Sequence, residues 1–261
     1  MFEVIKVGIP LQTKDITSEF LNVIDEIKNN PECIAVTTVD YSEYEMVVAP
    51  AGYKVILDNL NFKPYRYGNQ LHLKCINTMS SLWGVVRDIP SLIDNILDLL
   101  HKNQQILKFK KVYFLNGGSP FCGDSATLCL SKRVTDLKFV TSPSCIDVAY
   151  SALNISVPYV ENDYVNICIR KQQDLVIDTT KINVFLCMQR GYEYNNIHIL
   201  NKFFKQIEDH YSDDDIIKIV NIKADICDIE SWTVGTAKLI KEQIYNNKKP
   251  VVFFLYKKEF Q

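Results

Sequence analysis

The stretch from residue 112 to residue 158 constrains this chain most. It opens on a continuous apolar run, Val112-Tyr113-Phe114-Leu115, which breaks at Asn116-Gly117-Gly118-Ser119-Pro120. After Phe121, small and polar residues (Gly123, Asp124, Ser125, Ala126, Thr127) carry a short helix. A second run, Leu137-Lys138-Phe139-Val140, ends in Thr141-Ser142-Pro143-Ser144-Cys145, and a helix follows over residues 146–153. Two strand–loop–helix units in succession demand an α/β layer architecture with a largely parallel sheet. Each strand ends in Gly or Ser, where backbone N–H groups can face a ligand at close range. Ligand crevices of open α/β sheets lie beyond the carboxyl ends of the strands. The two loops are therefore a candidate ligand site; the alternative is ordinary connections, since Gly, Ser and Pro make turns anywhere.

The segments on either side extend this pattern. Residues 3–9 read as a short apolar strand, and residues 33–39 as a second, with Asp40 at its carboxyl end. Between them Phe20, Leu21, Val23, Ile24 and Ile27 recur at helical spacing, with Asp15 or Thr17 as the cap and Asn30-Pro31 as the stop. Residues 53–57 form a third, short strand. Residues 58–86 are polar and aromatic without clear period, and read as a long functional loop or an exposed insertion. Pro90 begins an amphipathic helix to His101, with Ile89, Leu92, Ile93, Ile96, Leu97 and Leu100 toward the core. After Pro158 the texture changes to strand-like runs at 165–169, 183–188, 216–222 and 251–256. A helix spans 197–211, and another lies in the second half of 232–246. The boundary falls between Pro158 and Asp163, giving domains 1–158 and 159–261, the second mixed and with roughly five strands.

Composition narrows the function classes. With 261 residues and 47% hydrophobic content the chain buries a substantial core. A formal charge of −2 and a pI near 6.1 leave no basic footprint for nucleic acid. No apolar run approaches the ~20 residues of a membrane span. The amino-terminal segment reads as a strand and not as a signal peptide, so a cytoplasmic location is expected. The eight cysteines include no CxxC pair, which points to thiols in a reducing compartment. The four histidines are scattered without ligand spacing, so no metal site is expected. Asp213-Asp214-Asp215 reads as a solvated turn.

The order of elements resembles the tetrapyrrole methylase superfamily, whose members use S-adenosylmethionine. Val7-Gly8-Ile9-Pro10-Leu11-Gln12, then Ile16-Thr17, resembles that family's first glycine loop and helix start. Residues 33–40 resemble its second strand. Gly118-Ser119-Pro120 falls where the family has Gly-Asp-Pro or Gly-His-Pro, and Thr141-Ser142-Pro143-Ser144-Cys145 where it has Pro-Gly-Val-Ser-Ser. Residues 183–188, 216–221 and 233–255 resemble the ending of its second domain. The likeness runs over nearly the whole length. It implies two α/β domains with a cofactor cleft between them, S-adenosylmethionine as cofactor, and Gly8, Gly118, Ser119, Pro120, Ser144, Cys145 and Met188 at the donor site. Homodimers are common in the family.

Gly8-Ile9-Pro10-Leu11-Gln12 and residues 53–62 most resemble borosin-type enzymes, which N-methylate backbone amides of a peptide. Diphthine synthase and the cobalamin-pathway methylases share the fold and resemble the amino-terminal segment less. An amide nitrogen is a poor nucleophile: a phenol can take its proton and an Arg can stabilise developing oxyanion charge. The resemblance puts Arg87 in the latter role and leaves the phenol to Tyr65 or Tyr67. Ser142 stands where the family pattern has Gly. Three further departures stand out: Pro10 in the first loop, Ser119 within the Gly-x-Pro loop, and Ser91 where the borosin pattern has a Tyr. They favour the alternative of a non-catalytic binding or scaffold subunit. No core peptide follows the last strand before Phe260-Gln261, so the acceptor is expected to be a separate peptide or a small molecule.

Overall fold

The structure is a computed structural model. It describes residues 2–30, 32–37, 62–67, 70–75, 89–122, 125–155, 164–168, 177–187, 197–222, 226–246 and 251–257. The chain divides into two compact units, Met1–Ser144 and Cys145–Gln261.

The first unit is built on β1 (Glu3–Ile9), β2 (Cys33–Thr37), β5 (Lys111–Gly117) and β6 (Lys138–Val140). All pairings are parallel, in the order β2-β5-β1-β6. Alternation along the strands sends apolar side chains to both faces, as a sheet covered on both sides requires. Val4, Ile34, Val36, Val112 and Phe114 pack against α2 (Ile89–Leu107) and α3 (Ser125–Ser131). Ile5, Val7, Ile9, Ala35, Tyr113 and Leu115 pack against α1 (Ser18–Asn29) through Phe20, Val23, Ile24 and Ile27. Thr17 caps α1, its hydroxyl accepting from the Phe20 N–H at 3.1 Å, and Asn30 ends the helix.

A hairpin of β3 (Phe62–Tyr67) and β4 (Gln70–Cys75) also belongs to this unit. It lies in the segment that the sequence reading left aperiodic. The signal was present: Leu71, Leu73 and Cys75 alternate with polar residues, and Gly68-Asn69 separates the two runs. The strand expected at 53–57 lies outside the described residues.

The second unit holds β7 (Tyr164–Cys168), β8 (Ile182–Cys187), β9 (Ile216–Asn221), β10 (Asp228–Thr233) and β11 (Val251–Tyr256). Their order is β10-β9-β11-β8-β7, antiparallel except for β7 with β8. One face packs on α5 (Ile197–Ile207) and α6 (Val234–Leu239), where the Phe203 ring stacks on Phe253 at 5.2 Å and meets Phe185 edge-on at 5.1 Å. A further short helix, α7, runs Lys241–Asn246. On the other face Tyr150 of α4 (Cys145–Leu153) sits edge-on to Phe254 at 5.5 Å. That packing places α4 with the second unit, so the division falls before this helix, whereas the sequence reading set it after, near Pro158.

Two further expectations change. Residues 228–233 form a strand ahead of the helices, although Asp228, Glu230 and Ser231 hide it from an apolar pattern. Asp215 is buried, not solvated: its carboxylate accepts from the Ser212 N–H at 2.8 Å and from Lys257 Nζ at 3.1 Å. Asp213 and Asp214 are exposed. Cys33, Cys122, Cys129, Cys145 and Cys227 are thiols. Among the described residues no helix is long and apolar enough to cross a membrane, and no His/Cys/Asp/Glu cluster of metal-binding size occurs.

At the amino ends of β2 and β5 a polar network ties α1 to the sheet. Glu26 accepts from Lys111 Nζ at 2.6 Å and from the Tyr113 hydroxyl at 2.5 Å. Burial pushes the Glu26 carboxyl up, but these two donors outweigh it and hold the group below the ordinary carboxylate value. Burial beside Glu26 pushes the Cys33 thiol up to about 12 and the Tyr113 phenol higher still, so both stay neutral. A depressed carboxyl stabilises the fold above its unfolded value and loses that contribution as pH falls through the folded one. Glu26→Gln is therefore expected to cost about 1–2 kcal/mol at neutral pH. It should also flatten the acid limb of stability against pH, as read by urea unfolding from neutral to acid pH.

Candidate functional site

In the first unit β1 lies between β5 and β6, so all three strands leave the sheet side by side at their carboxyl ends. The register sets Gly8 opposite Asn116, Ile9 opposite Gly117, and Val7 opposite Val140. The exit loops of β5 and β6 then close over Gly8. A Cβ there would lie 2.5 Å from the Gly118 carbonyl oxygen, 2.9 Å from the Pro120 ring and 2.9 Å from Ser142 Oγ. No side chain fits that space. Gly118 turns back toward β1 with φ of 75°, and its N–H donates to the Ile9 carbonyl at 2.7 Å. Leu11 packs on Gly118, where an added Cβ would lie 3.3 Å from its Cδ1. Glycine is thus required at position 8 by close approach and at position 118 by backbone conformation.

The structure brings Gly8, Gly118 and Pro120 together with Ser142, which was noted only as a departure from the family pattern. Ser142 is 8% exposed, and its hydroxyl oxygen is buried without a hydrogen-bond partner. A second buried oxygen without a partner, Asp15 Oδ2, sits in the short 3-10 turn Thr13–Asp15 that follows the β1 exit. Buried polar atoms left without a partner are uncommon and mark places where a bound group completes the set. Another of this kind is Asn201 Oδ1, in the second unit.

The amides after Gly117 are less available than the sequence suggested. Besides the Gly118 N–H, the Phe121 N–H donates to Ser119 Oγ at 3.2 Å and the Cys122 N–H to the Ser119 carbonyl at 3.2 Å. The loop spends these donors on its own turn. Phe121 is 64% exposed, its ring resting on Phe139 at 4.8 Å. Ser144 is buried at the end of the first unit, and Cys145 is buried as the first residue of α4 in the second. Tyr65 and Tyr67 lie on β3, in register with His72 and Gln70 of β4. Arg87 and Met188 lie outside the described residues.

Solved structures of the same architecture exist. One is a protein of Corynebacterium diphtheriae described as related to cobalamin synthesis (CobF), 10% identical with a TM-score of 0.58, covering 98% of this chain and 99% of that one. Another is the methyltransferase CobJ, 11% identical with a TM-score of 0.60, covering 99% and 95%. The chain has the tetrapyrrole methylase fold. A third example, uroporphyrin-III C-methyltransferase from Thermus thermophilus, was solved with S-adenosylhomocysteine; it is 12% identical with a TM-score of 0.54, covering 97% of each chain. At these identities the likeness is one of fold. No family model matches the chain, and no curated protein matches it in sequence.

Two substitutions separate the roles of the loop residues. Gly8→Ala drives a methyl group into the Gly118 carbonyl, a backbone atom, and is expected to cost about 2–3 kcal/mol by overpacking. Ser142→Ala removes a buried hydroxyl that has no partner, so urea unfolding of the ligand-free protein should show unchanged or higher stability, by up to ~1–2 kcal/mol.

Proposed function

We propose that this chain is an S-adenosylmethionine-dependent methyltransferase whose donor is held at the strand exits around Gly8. The observation that carries this reading is the closure of the β5 and β6 exit loops over Gly8, with a buried hydroxyl still lacking a partner. The same fold in the solved proteins supports methyl transfer, and one of them was crystallised with S-adenosylhomocysteine. Bound, the donor supplies an electrophilic sulfonium methyl and a neutral thioether leaving group.

The chain's own contribution is then mostly placement, since aligning methyl and nucleophile supplies much of the acceleration. Ser142 donates a hydrogen bond to the donor, and Asp15 accepts one from it. Gly118, Ser119 and Pro120 form the turn beside Ser142, and the family resemblance adds Ser144, Cys145 and Met188 as donor-site candidates. On the acceptor side, Tyr65 or Tyr67 as phenolate would take the amide proton and Arg87 would stabilise the charge developing on the carbonyl oxygen, roles that the family resemblance suggests, giving N-methylation of a separate peptide. A small metabolite is the other acceptor class.

A second reading is a non-catalytic binding or scaffold subunit of the same fold. The engagement of the Gly118 amide with Ile9 and of the Phe121 and Cys122 amides with Ser119 favours it, because fewer backbone donors are left for a ligand.

Titration calorimetry with S-adenosylmethionine and S-adenosylhomocysteine decides between them. Binding of both is expected, and Ser142→Ala should weaken it about tenfold, or ~1.4 kcal/mol. Absence of binding by either at millimolar concentration ends the methyltransferase reading. Binding without any mass gain in offered peptides or metabolites supports the scaffold reading.

A further inference from the structure

Phe121 directly follows Pro120, whose ring lies in the closure over Gly8. At 64% exposure it forgoes much of the burial that an aromatic side chain gains in a core. Its position is nevertheless fixed. The Phe121 N–H donates to Ser119 Oγ at 3.2 Å, and the next N–H donates to the Ser119 carbonyl at 3.2 Å. The ring rests on Phe139 with centroids 4.8 Å apart.

Phe139 sets the side of the sheet on which this pair lies. It precedes Val140 on β6, and Val140 packs in the cluster around α1. Alternation turns Phe139 to the opposite face, in register with Lys6 of β1 and on the side where a side chain at Gly8 would point. Ser142 Oγ and the Pro120 ring meet Gly8 on that side too. The aromatic pair and the buried hydroxyl without a partner therefore share one face of the first unit. Their chemistry differs. Ser142 offers a buried polar atom, whereas the pair offers ring surface with no hydrogen-bonding atom. Ser119, the nearest polar residue in the chain, has its hydroxyl and carbonyl engaged in the turn.

We infer that Phe121, backed by Phe139, is the platform on which an aromatic side chain of the peptide acceptor stacks. The inference rests on the methyltransferase reading and adds a substrate preference to it. The methyl donor carries hydrogen-bonding groups over its amino-acid, ribose and base parts, which suit the buried oxygens of Ser142 and Asp15. Ring surface without polar partners suits an apolar group instead. A second ring laid on Phe121, offset or edge-on, gains the preferred aromatic geometry and covers surface that the free protein leaves in water.

Two blocked hexapeptides of alanine and glycine, one with a central Phe and one with Ala in its place, serve as probes. Their affinities are measured by calorimetry on the full chain saturated with S-adenosylhomocysteine. The Phe peptide is expected to bind about fivefold more tightly than the Ala peptide. Phe121→Ala should abolish that preference and leave the affinity for S-adenosylhomocysteine unchanged, while Phe121→Tyr should keep both. In Phe121→Trp the emission of the added indole should respond to the Phe peptide and not to the Ala peptide. Equal affinity of the parent chain for the two peptides would overturn the inference, as would a preference that survives Phe121→Ala. Loss of S-adenosylhomocysteine binding in Phe121→Ala would also overturn it, by putting the donor on the ring. Failure of the parent chain to bind S-adenosylhomocysteine at millimolar concentration ends the methyltransferase reading itself, and this inference with it.

Discussion

The approach of the Gly118 carbonyl to Gly8 is the contact on which the first unit's loop architecture depends. It is short enough that any side chain at position 8 would separate the β5 exit from β1. With the hydrogen atom of glycine there, the chain leaving β5 turns back at once, donates its N–H to Ile9 and lets Pro120 and Ser142 close from the other sides. The turn is held by one backbone hydrogen bond and by packing on Leu11. Parallel neighbours make this possible, because β1, β5 and β6 all release their chains at the same end of the sheet.

The two ends of that sheet carry different burdens. At the amino ends Glu26, Lys111 and Tyr113 satisfy one another, and the neighbouring Cys33 thiol stays neutral. Such a network holds α1 in place and leaves little for a ligand. At the carboxyl ends the balance is reversed: Ser142 and Asp15 keep buried oxygens without partners. Polar atoms buried unsatisfied lower stability, and a fold retains them where a bound group completes them. The second unit shows the satisfied pattern again, with Asn183 donating to the Tyr211 hydroxyl at 2.6 Å and to the Asp178 carbonyl at 2.8 Å.

The strands and helices with apolar faces could be read directly from the chain. Residues 112–115, 33–37, 183–187 and 251–256 are short apolar runs, and α1 and α2 carry their buried residues at helical spacing. What escaped notice lacked that signature. β10 is an edge strand whose exposed positions mix Asp228 and Ser231 with Ile229 and Trp232, so no alternation marks it. The hairpin of β3 and β4 does alternate in its second strand, but Pro64 and Arg66 interrupt the first. Asp215 sits in a run of three acids, and only its fold neighbours Ser212 and Lys257 distinguish it from Asp213 and Asp214. In the candidate site the glycines were legible as loop residues, while the side chain of consequence, Ser142, was noticed only as a mismatch.

By itself the sequence determined the α/β class and the ends of strands where small residues gather. These follow from local periodicity and backbone preference, which a short window contains. Only the tertiary structure decided which of those small residues meet. Gly8 lies near the end of β1, Gly118 and Pro120 in the loop after β5 and Ser142 in the loop after β6, and their contact exists because the parallel register aligns the ends of these strands. It also decided that the Gly118 loop uses its own amides, that α4 packs with the second unit through Tyr150, and that β10 stands at an edge. Each of these is a property of pairing between distant segments, and no local pattern encodes it.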